Sequence, residues 1–186
     1  MSEPAFKYRA VDEFLIWDDG TDRRYQLVRG VVVAMAPPLE AHGTIVGNAA
    51  RGIGNRLRRP WRVVVETGVR LPERDDTFYQ ADLVVTCAPP KVGARWIAEP
   101  RVIVEVLSPS TADHDRSEKL DDYQALPSVR EIVIVFSDRR RVQLWRRRPG
   151  FWQVEDLIGD AELRLESVEV ALPLVELYQD VALESA

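Results

Sequence analysis

Apolar and polar positions alternate along this chain in two rhythms, one of period two and one close to 3.6 residues. Val11 to Trp17 has helical spacing, with Asp12 and Glu13 in its opening turn where the helix dipole favours acids. Arg24 to Val28 and Val31 to Ala36 are short β-patterned runs, and Arg29-Gly30 between them predicts a hairpin that Pro37-Pro38 ends. From Leu39 to Leu57 the apolar residues Ile45, Val46, Ala49, Ala50, Ile53 and Leu57 recur at helical spacing, which makes this the main helix. Its Gly47, Gly52 and Gly54 cost helix stability but permit close packing against a sheet or another helix.

Trp61 to Glu66 and Gly68 to Leu71 are predicted as two short strands, and Pro72 to Thr77 as a charged loop. Gln80 to Thr86 and Arg101 to Leu107 are the strongest strand signals, rich in Val and Ile, with the loop Pro89 to Pro100 between them. A helix over Asp115 to Leu126, stopped by Pro127, leads to Glu131 to Phe136, a nearly all-apolar strand suited to the buried middle of a sheet. Arg141 to Arg146 and Phe151 to Asp156 form a later hairpin around Pro149-Gly150, and Pro173 to Tyr178 a last short helix. Strand, strand, helix, strand predicts an α/β fold with a mixed sheet flanked by helices. One domain spans 1–186: an N-terminal helix and hairpin over 10–36, a core over 39–137 and a C-terminal hairpin and helix over 138–180.

Composition adds limits. With 186 residues, 46% hydrophobic and 30% charged, the chain suits one soluble globular domain. No apolar run approaches the roughly 18 residues of a membrane span, and Met1-Ser2-Glu3-Pro4 lacks a signal pattern. The expectation is a cytoplasmic protein without a membrane partner. The single cysteine, Cys87, has no partner in the chain and reads as a buried small hydrophobe at a strand end. A net charge of −5 argues against a general polyanion binder. Nearly all the basic residues are arginine; Lys7, Lys91 and Lys119 are the lysines. A lysine in a cleft therefore draws notice, because its compact charge is the tunable one.

The chemistry concentrates on two strands. Asp82 stands near the start of one and Glu105 interrupts the next, in Val102-Ile103-Val104-Glu105-Val106-Leu107. Alternation puts Glu105 on the face of Ile103 and Leu107, where an unpaired charge is costly. Two carboxylates about 4 Å apart repel by about 4 kcal/mol at an effective dielectric near 20, so a cation or a proton must be shared between them. Lys119, on the following helix, supplies part of that compensation and a divalent metal the rest. The plainer alternative is an ion pair in which Glu105 and Lys119 pin the helix to the sheet; Asp115 is also a local partner for Lys119.

Tyr25-Gln26-Leu27-Val28-Arg29-Gly30, Met35-Ala36-Pro37-Pro38, His42 and Ala81-Asp82-Leu83-Val84-Val85 resemble segments of the Uma-type restriction endonuclease family. The closest likeness is Val104 to Thr111 followed by Asp115-Arg116, Lys119 and Tyr123, and it extends over about Val11 to Leu177. That family belongs to the PD-(D/E)XK nuclease superfamily. The resemblance therefore implies a restriction-endonuclease-like fold and metal-dependent hydrolysis of nucleic-acid phosphodiesters, most naturally of DNA. It implies Mg2+, or Mn2+, on Asp82, Glu105 and the backbone carbonyl of Val106, with Lys119 positioning the attacking water. Many superfamily members are dimers, and the apolar segment Leu172 to Leu183 offers a homodimer interface.

The sequence departs from the family at three points. Gln26 replaces a glutamate, so it would hydrogen-bond a metal-bound water rather than ligate. Arg29-Gly30-Val31 replaces Asp-Gly-Glu, and Ala81 replaces a proline. The loss of acids favours, as the alternative, a non-catalytic nucleic-acid or protein binding module that keeps the nuclease fold. His42, ahead of the apolar stripe of the main helix, matches a family histidine and is an auxiliary candidate; His114 is a weaker one. Arg139 to Arg141 and Arg146 to Arg148 are either a solvated hairpin edge or a phosphate-contacting ridge, with Trp145 or Trp152 stacking on a base.

Overall fold

The computed structural model describes residues 9–107 and 113–183, and the side chains of 113–116 lie outside that description. Two parallel strands, β5 (Val102–Leu107) and β6 (Glu131–Phe136), form the centre of an eight-stranded sheet, joined by a crossover that contains α3 (Asp113–Ala125). Every residue of β6 is buried, as its apolar run requires. Antiparallel β4 (Phe78–Thr86) lies beside β5, and β3 (Arg62–Arg70) pairs with β4 along its whole length. On the other side of β6 follow β7 (Arg141–Arg148) and β8 (Phe151–Ile158). The hairpin β1 (Tyr25–Val28) and β2 (Val31–Ala34) joins β4 through the pair Leu27↔Phe78. Its turn has positive φ at both Arg29 (49°) and Gly30 (80°), the primed turn that suits strand twist.

Helices cover both faces. On one, α2 (Glu40–Gly54) buries Ile45, Val46, Ala49 and Ile53 against Leu83, Val85, Val102 and Val104. A small two-stranded sheet, β9 (Glu162–Leu165) and β10 (Val170–Pro173), joins this core together with α4 (Leu174–Leu177). On the other face, Tyr123 and Leu126 from the region of α3 pack with Tyr79, Val84, Ile103, Ile132 and Ile134. The short α1 (Val11–Ile16) adds a third cluster of Val11 and Phe14 with Leu27 and Phe78. Among the described residues no helix is long and apolar enough to cross a membrane.

Several expectations change. The two strands expected over 61–71 are one strand, because Glu66 bends the backbone (φ 50°) without breaking the ladder. Asp82 lies in the middle of β4 rather than at its start, since the strand begins at Phe78. Much of the apolar content of Leu172 to Leu183 is buried rather than exposed, with Val175 left on the surface. Leu172, Leu174, Leu177 and Tyr178 are all buried in the α2-side core.

Four of the hairpin arginines, Arg141 and Arg146 to Arg148, are taken up by partners within the molecule, whereas Arg139 stays largely exposed. Arg146 pairs with buried Glu131 at 3.2 Å, Arg148 with Glu166 at 2.8 Å and Arg141 with Asp156 at 2.8 Å. Arg147 donates to the carbonyls of Gln124, Leu126 and Val129 (2.7–2.8 Å), closing the C-terminal end of α3. Its guanidinium also lies over Trp152, 4.5 Å from the ring centre.

Candidate active site

The site grows from a fork in the sheet. One edge of β4 is occupied throughout by β3, so β1 and β5 share the other: β1 meets Phe78, and β5 meets Leu83, Val84 and Val85. Between these contacts the ladder is open, and Lys119 fills part of the gap by donating to the Gln80 carbonyl at 3.1 Å. The strand also changes face here. Tyr79 and Ala81 pack on the α3 side, whereas Leu83 and Val85 pack on the α2 side. The kink falls at Asp82, opposite the left-handed backbone of Glu66. The β4–β5 ladder Val85↔Val102, Val84↔Ile103, Leu83↔Val104 stops one step short of Asp82 and Glu105. The two carboxylates thus stand where the strands part.

Each carboxylate has its own partners. Asp82 Oδ2 accepts the Val106 backbone N–H at 2.7 Å, and Asp82 Oδ1 lies 3.2 Å from His42 Nε2 on α2. That contact, foremost, raises the His42 pKa, and the charge of Glu105 adds to it. Glu105 is 8% exposed and receives two contacts on Oε1: Lys119 Nζ at 2.9 Å and the Tyr123 hydroxyl at 2.7 Å. Burial pushes the Glu105 carboxyl up to about 7; Lys119 opposes this and the charge of Asp82 adds to it. Burial likewise raises the Tyr123 hydroxyl well above its usual value, with Glu105 next to it reinforcing the effect. Two carboxylates and two basic groups, Lys119 and His42, thus share the site, and burial is the main reason the Glu105 carboxyl is raised.

Lys119 sits in an aromatic cage, 5.5 Å from the Tyr79 ring centre and 5.7 Å from that of Tyr123. The rings meet edge to face at 5.6 Å. The Tyr79 hydroxyl donates to Asp122 at 2.7 Å, and Arg29 grips α3 through Glu118 (2.6 Å) and Asp122 (3.5 Å). Arg29, which stands where the resemblance has an acid, therefore ties the β1–β2 turn to the helix that carries Lys119.

Asp82, Glu105, Lys119 and His42 come together, and the Val106 main chain touches Asp82. Gln26 shares the β1 face with Val28, which packs on the α3 side, and its buried Oε1 has no hydrogen-bond partner among the described residues. The side chain of His114, and the whole of Ser108 to Thr111, lie outside the described residues. Tyr79, Arg29 and the hydroxyl of Tyr123 were not singled out as site groups by the sequence. An aromatic or an arginine gives no signal of its own until a partner charge is placed beside it. A cleft of about 220 Å³, lined by Arg24, Met35, Glu66, Gln80, Ala81 and Asp82, opens at the kink.

The chain as a whole is similar to several known proteins. In the cyanobacterium Synechocystis sp. (strain ATCC 27184 / PCC 6803 / Kazusa), "Uncharacterized protein slr1290" is 24% identical over 174 residues, covering 92% of each chain. "Uncharacterized protein sll1609" of the same organism is 20% identical over 164 residues, covering 85% of this chain and 93% of its own. A crystal structure described as "a putative nuclease belonging to DUF820", from Anabaena variabilis ATCC 29413, superposes with a TM-score of 0.75 at 18% identity, over 94% of this chain and 99% of that one. The fold is therefore a nuclease-like mixed α/β fold. The family Uma2, described as "Putative restriction endonuclease", matches residues 11–179. With its carboxylates and lysine gathered at a sheet fork inside that span, the chain belongs to the Uma2 restriction endonuclease family.

Proposed function

We propose that this protein is a divalent-metal-dependent nuclease that hydrolyses phosphodiester bonds of DNA in the cytoplasm. The supporting observation is the pairing of Asp82 and Glu105 at the parting of β4 and β5, with Lys119 on Glu105 at 2.9 Å. The donor set fits a hard cation such as Mg2+ or Mn2+: carboxylate oxygens, with the Val106 carbonyl as a main-chain oxygen. Two local features agree. Burial and, against the pull of Lys119, the charge of Asp82 hold the Glu105 carboxyl high, a cost that a divalent ion would relieve, and the buried Gln26 Oε1 is an acceptor without a partner among the described residues. Among the described residues no three His, Cys, Asp or Glu side chains converge at metal-holding spacing; Asp82 and Glu105 would be side-chain ligands, with main chain, water and substrate at other positions.

A bound divalent ion would supply Lewis-acid polarisation of the scissile phosphate and offset its charge. The chain's own groups do the rest. Lys119, fixed by Glu105, the Gln80 carbonyl and two tyrosine rings, presents its ammonium to the charge that grows on the phosphate in the transition state. Tyr123 holds the orientation of Glu105, and His42 with the Val106 N–H holds that of Asp82. Gln26, on β1, would accept a hydrogen bond from a water at its buried Oε1.

The test is nicking of plasmid and oligonucleotide DNA in Mn2+ or Mg2+ against EDTA. Glu105→Ala is expected to lose cleavage and metal binding together. Lys119→Ala is expected to lose cleavage, by about 10²-fold or more for a transition-state charge contact, while retaining the metal. Metal-dependent DNA binding by the parent protein, with no cleavage under any condition, would replace the enzyme by a binding module on the same fold.

A further inference from the structure

The Asp82 cleft does not end at Asp82. It runs into a larger groove of about 500 Å³, and the two share Arg24, Glu66 and Gln80 as walls. Phe14, Trp17 and Tyr25 give the groove an aromatic side. Trp17 and Tyr25 meet edge to face at 5.0 Å, and the Arg9 guanidinium lies over Trp17 at 5.1 Å from the ring centre. The charged lining is balanced: Arg23, Arg24 and Arg95 stand against Asp18, Asp19 and Glu66. Much of it is already paired. Arg24 binds Glu66 at 2.6 Å, Asp19 accepts the hydroxyls of Tyr25 and Thr21, and Arg95 donates to the Leu15 carbonyl.

A phosphate is poorly matched to such a lining, because the carboxylates cancel the attraction of the arginines. A nucleobase matches it better. Its edge carries donors and acceptors together, which suits carboxylates beside guanidinium groups, and its face stacks on aromatic side chains whatever the sequence. A paired base is stacked inside a duplex and out of reach of such a wall, so the base concerned must be unpaired.

We propose that this groove holds one unpaired nucleobase of the strand whose phosphate occupies the Asp82 cleft. This rests on the nuclease reading above and narrows its substrate class to single-stranded or locally opened nucleic acid. The continuity of groove and cleft through Arg24, Glu66 and Gln80 sets the base next to the scissile phosphate, on the side of Trp17 and Tyr25.

The test uses the full chain in EDTA, with a fluorescein-labelled 12-nucleotide single strand and its blunt duplex followed by anisotropy. The parent should bind the single strand more tightly than the duplex. Trp17→Ala should weaken single-strand binding roughly 5- to 100-fold, the range of one base–aromatic stack, and leave duplex binding unchanged. Trp17→Phe should restore most of the loss, since it keeps a ring. Ala94→Leu, an exposed wall position where added bulk spares the core, should weaken single-strand binding as Trp17→Ala does. Equal single-strand binding by parent, Trp17→Ala and Ala94→Leu overturns the proposal, as does a parent that prefers the duplex. Cleavage in Mn2+ is read separately. Trp17-dependent binding without cleavage keeps the groove and removes the nuclease; equal cleavage of duplex by parent and Trp17→Ala, with no preference for the single strand, keeps the nuclease and removes the groove.

Discussion

Glu105 carries an apolar strand's least comfortable side chain, and its titration should be visible in the stability of the metal-free protein. In the folded chain burial holds its carboxyl near 7, above the ordinary 4.5 expected on unfolding. Between those values the native state binds the extra proton, so unfolding releases it and stability falls as pH rises. The native protein in EDTA should therefore be most stabilised by this group below about pH 4.5, lose the contribution through about pH 7 and show no further change from it above. The loss is on the order of 1–3 kcal/mol. Glu105→Gln, which cannot titrate, should flatten that part of the pH profile in thermal melts. An unchanged slope in the variant would move the effect to other groups.

Gln26 poses the complementary question. Its Oε1 is buried without a partner among the described residues, and the resemblance places a glutamate there. Gln26→Glu would put a carboxylate at a buried, unpartnered acceptor position of β1. In EDTA the variant should be less stable, because a buried carboxylate without a counter-ion is costly. In Mg2+ or Mn2+ it should bind the ion more tightly than the parent and cleave faster. A variant that is destabilised, gains no metal affinity and cuts nothing favours the binding-module reading of this fold.

At the scale of elements, the glycines of α2 separate propensity from packing. Gly47 is exposed, and a Cβ built there meets nothing within 4 Å. A Cβ on Gly52 would meet Leu172 Cδ1 at 2.7 Å, and Leu172 is fully buried. Gly47→Ala should stabilise the protein by about 0.5–1 kcal/mol through helix propensity alone. Gly52→Ala gains the same propensity but must displace the buried Leu172 side chain, with a net loss of about 1–3 kcal/mol from overpacking. Chemical denaturation midpoints that move in opposite directions for the two variants check the packing assigned to α2.

The same elements explain what was legible in the sequence. The helix α2 and the strands β4 to β6 announced themselves because their apolar periods are long or their runs are rich in aliphatics, whereas the polar α3 was marked by the stop at Pro127 and β7 and β8 by the turn at Pro149-Gly150. Asp82 and Glu105 stood out because each places a charge in a Val-rich strand, and Lys119 because lysines are rare in this chain and it lies on the helix after the Glu105 strand. The small sheet β9–β10 was missed although Glu162–Leu165 alternates in the right period, because four residues are too few to stand above chance. The kink at Asp82 and Glu66 was illegible for a different reason. It depends on β1 and β5 sharing one edge of β4, which is a property of the sheet and of no single segment. Arg29, Tyr79 and Asp122 are likewise brought together only by the fold; in the sequence they are a turn residue, a strand residue and a helix residue.

At the scale of the whole molecule, a net charge of −5 offers little general attraction for a nucleic acid, so binding must be gained locally, at the cleft and through a cation held there. A divalent ion that binds only the folded state links that local event to global stability. At free ion about 100 times the dissociation constant, the gain is about 2.7 kcal/mol. For a chain of this size that is a rise of about 5–10 °C in melting temperature. Mg2+ and Mn2+ should produce such a rise relative to EDTA at matched ionic strength, whereas a monovalent salt should not. Asp82→Asn should abolish most of the rise. In EDTA it should be no less stable than the parent, because removing one of two like charges relieves repulsion on Glu105, to whose raised carboxyl Asp82 contributes. The opposite pattern, an Asp82→Asn protein that melts several degrees lower in EDTA beside a parent indifferent to divalent ions, would mean that His42, Asp82 and the Val106 N–H serve to hold α2 to the sheet, and that the fork between β4 and β5 is architecture rather than a metal site.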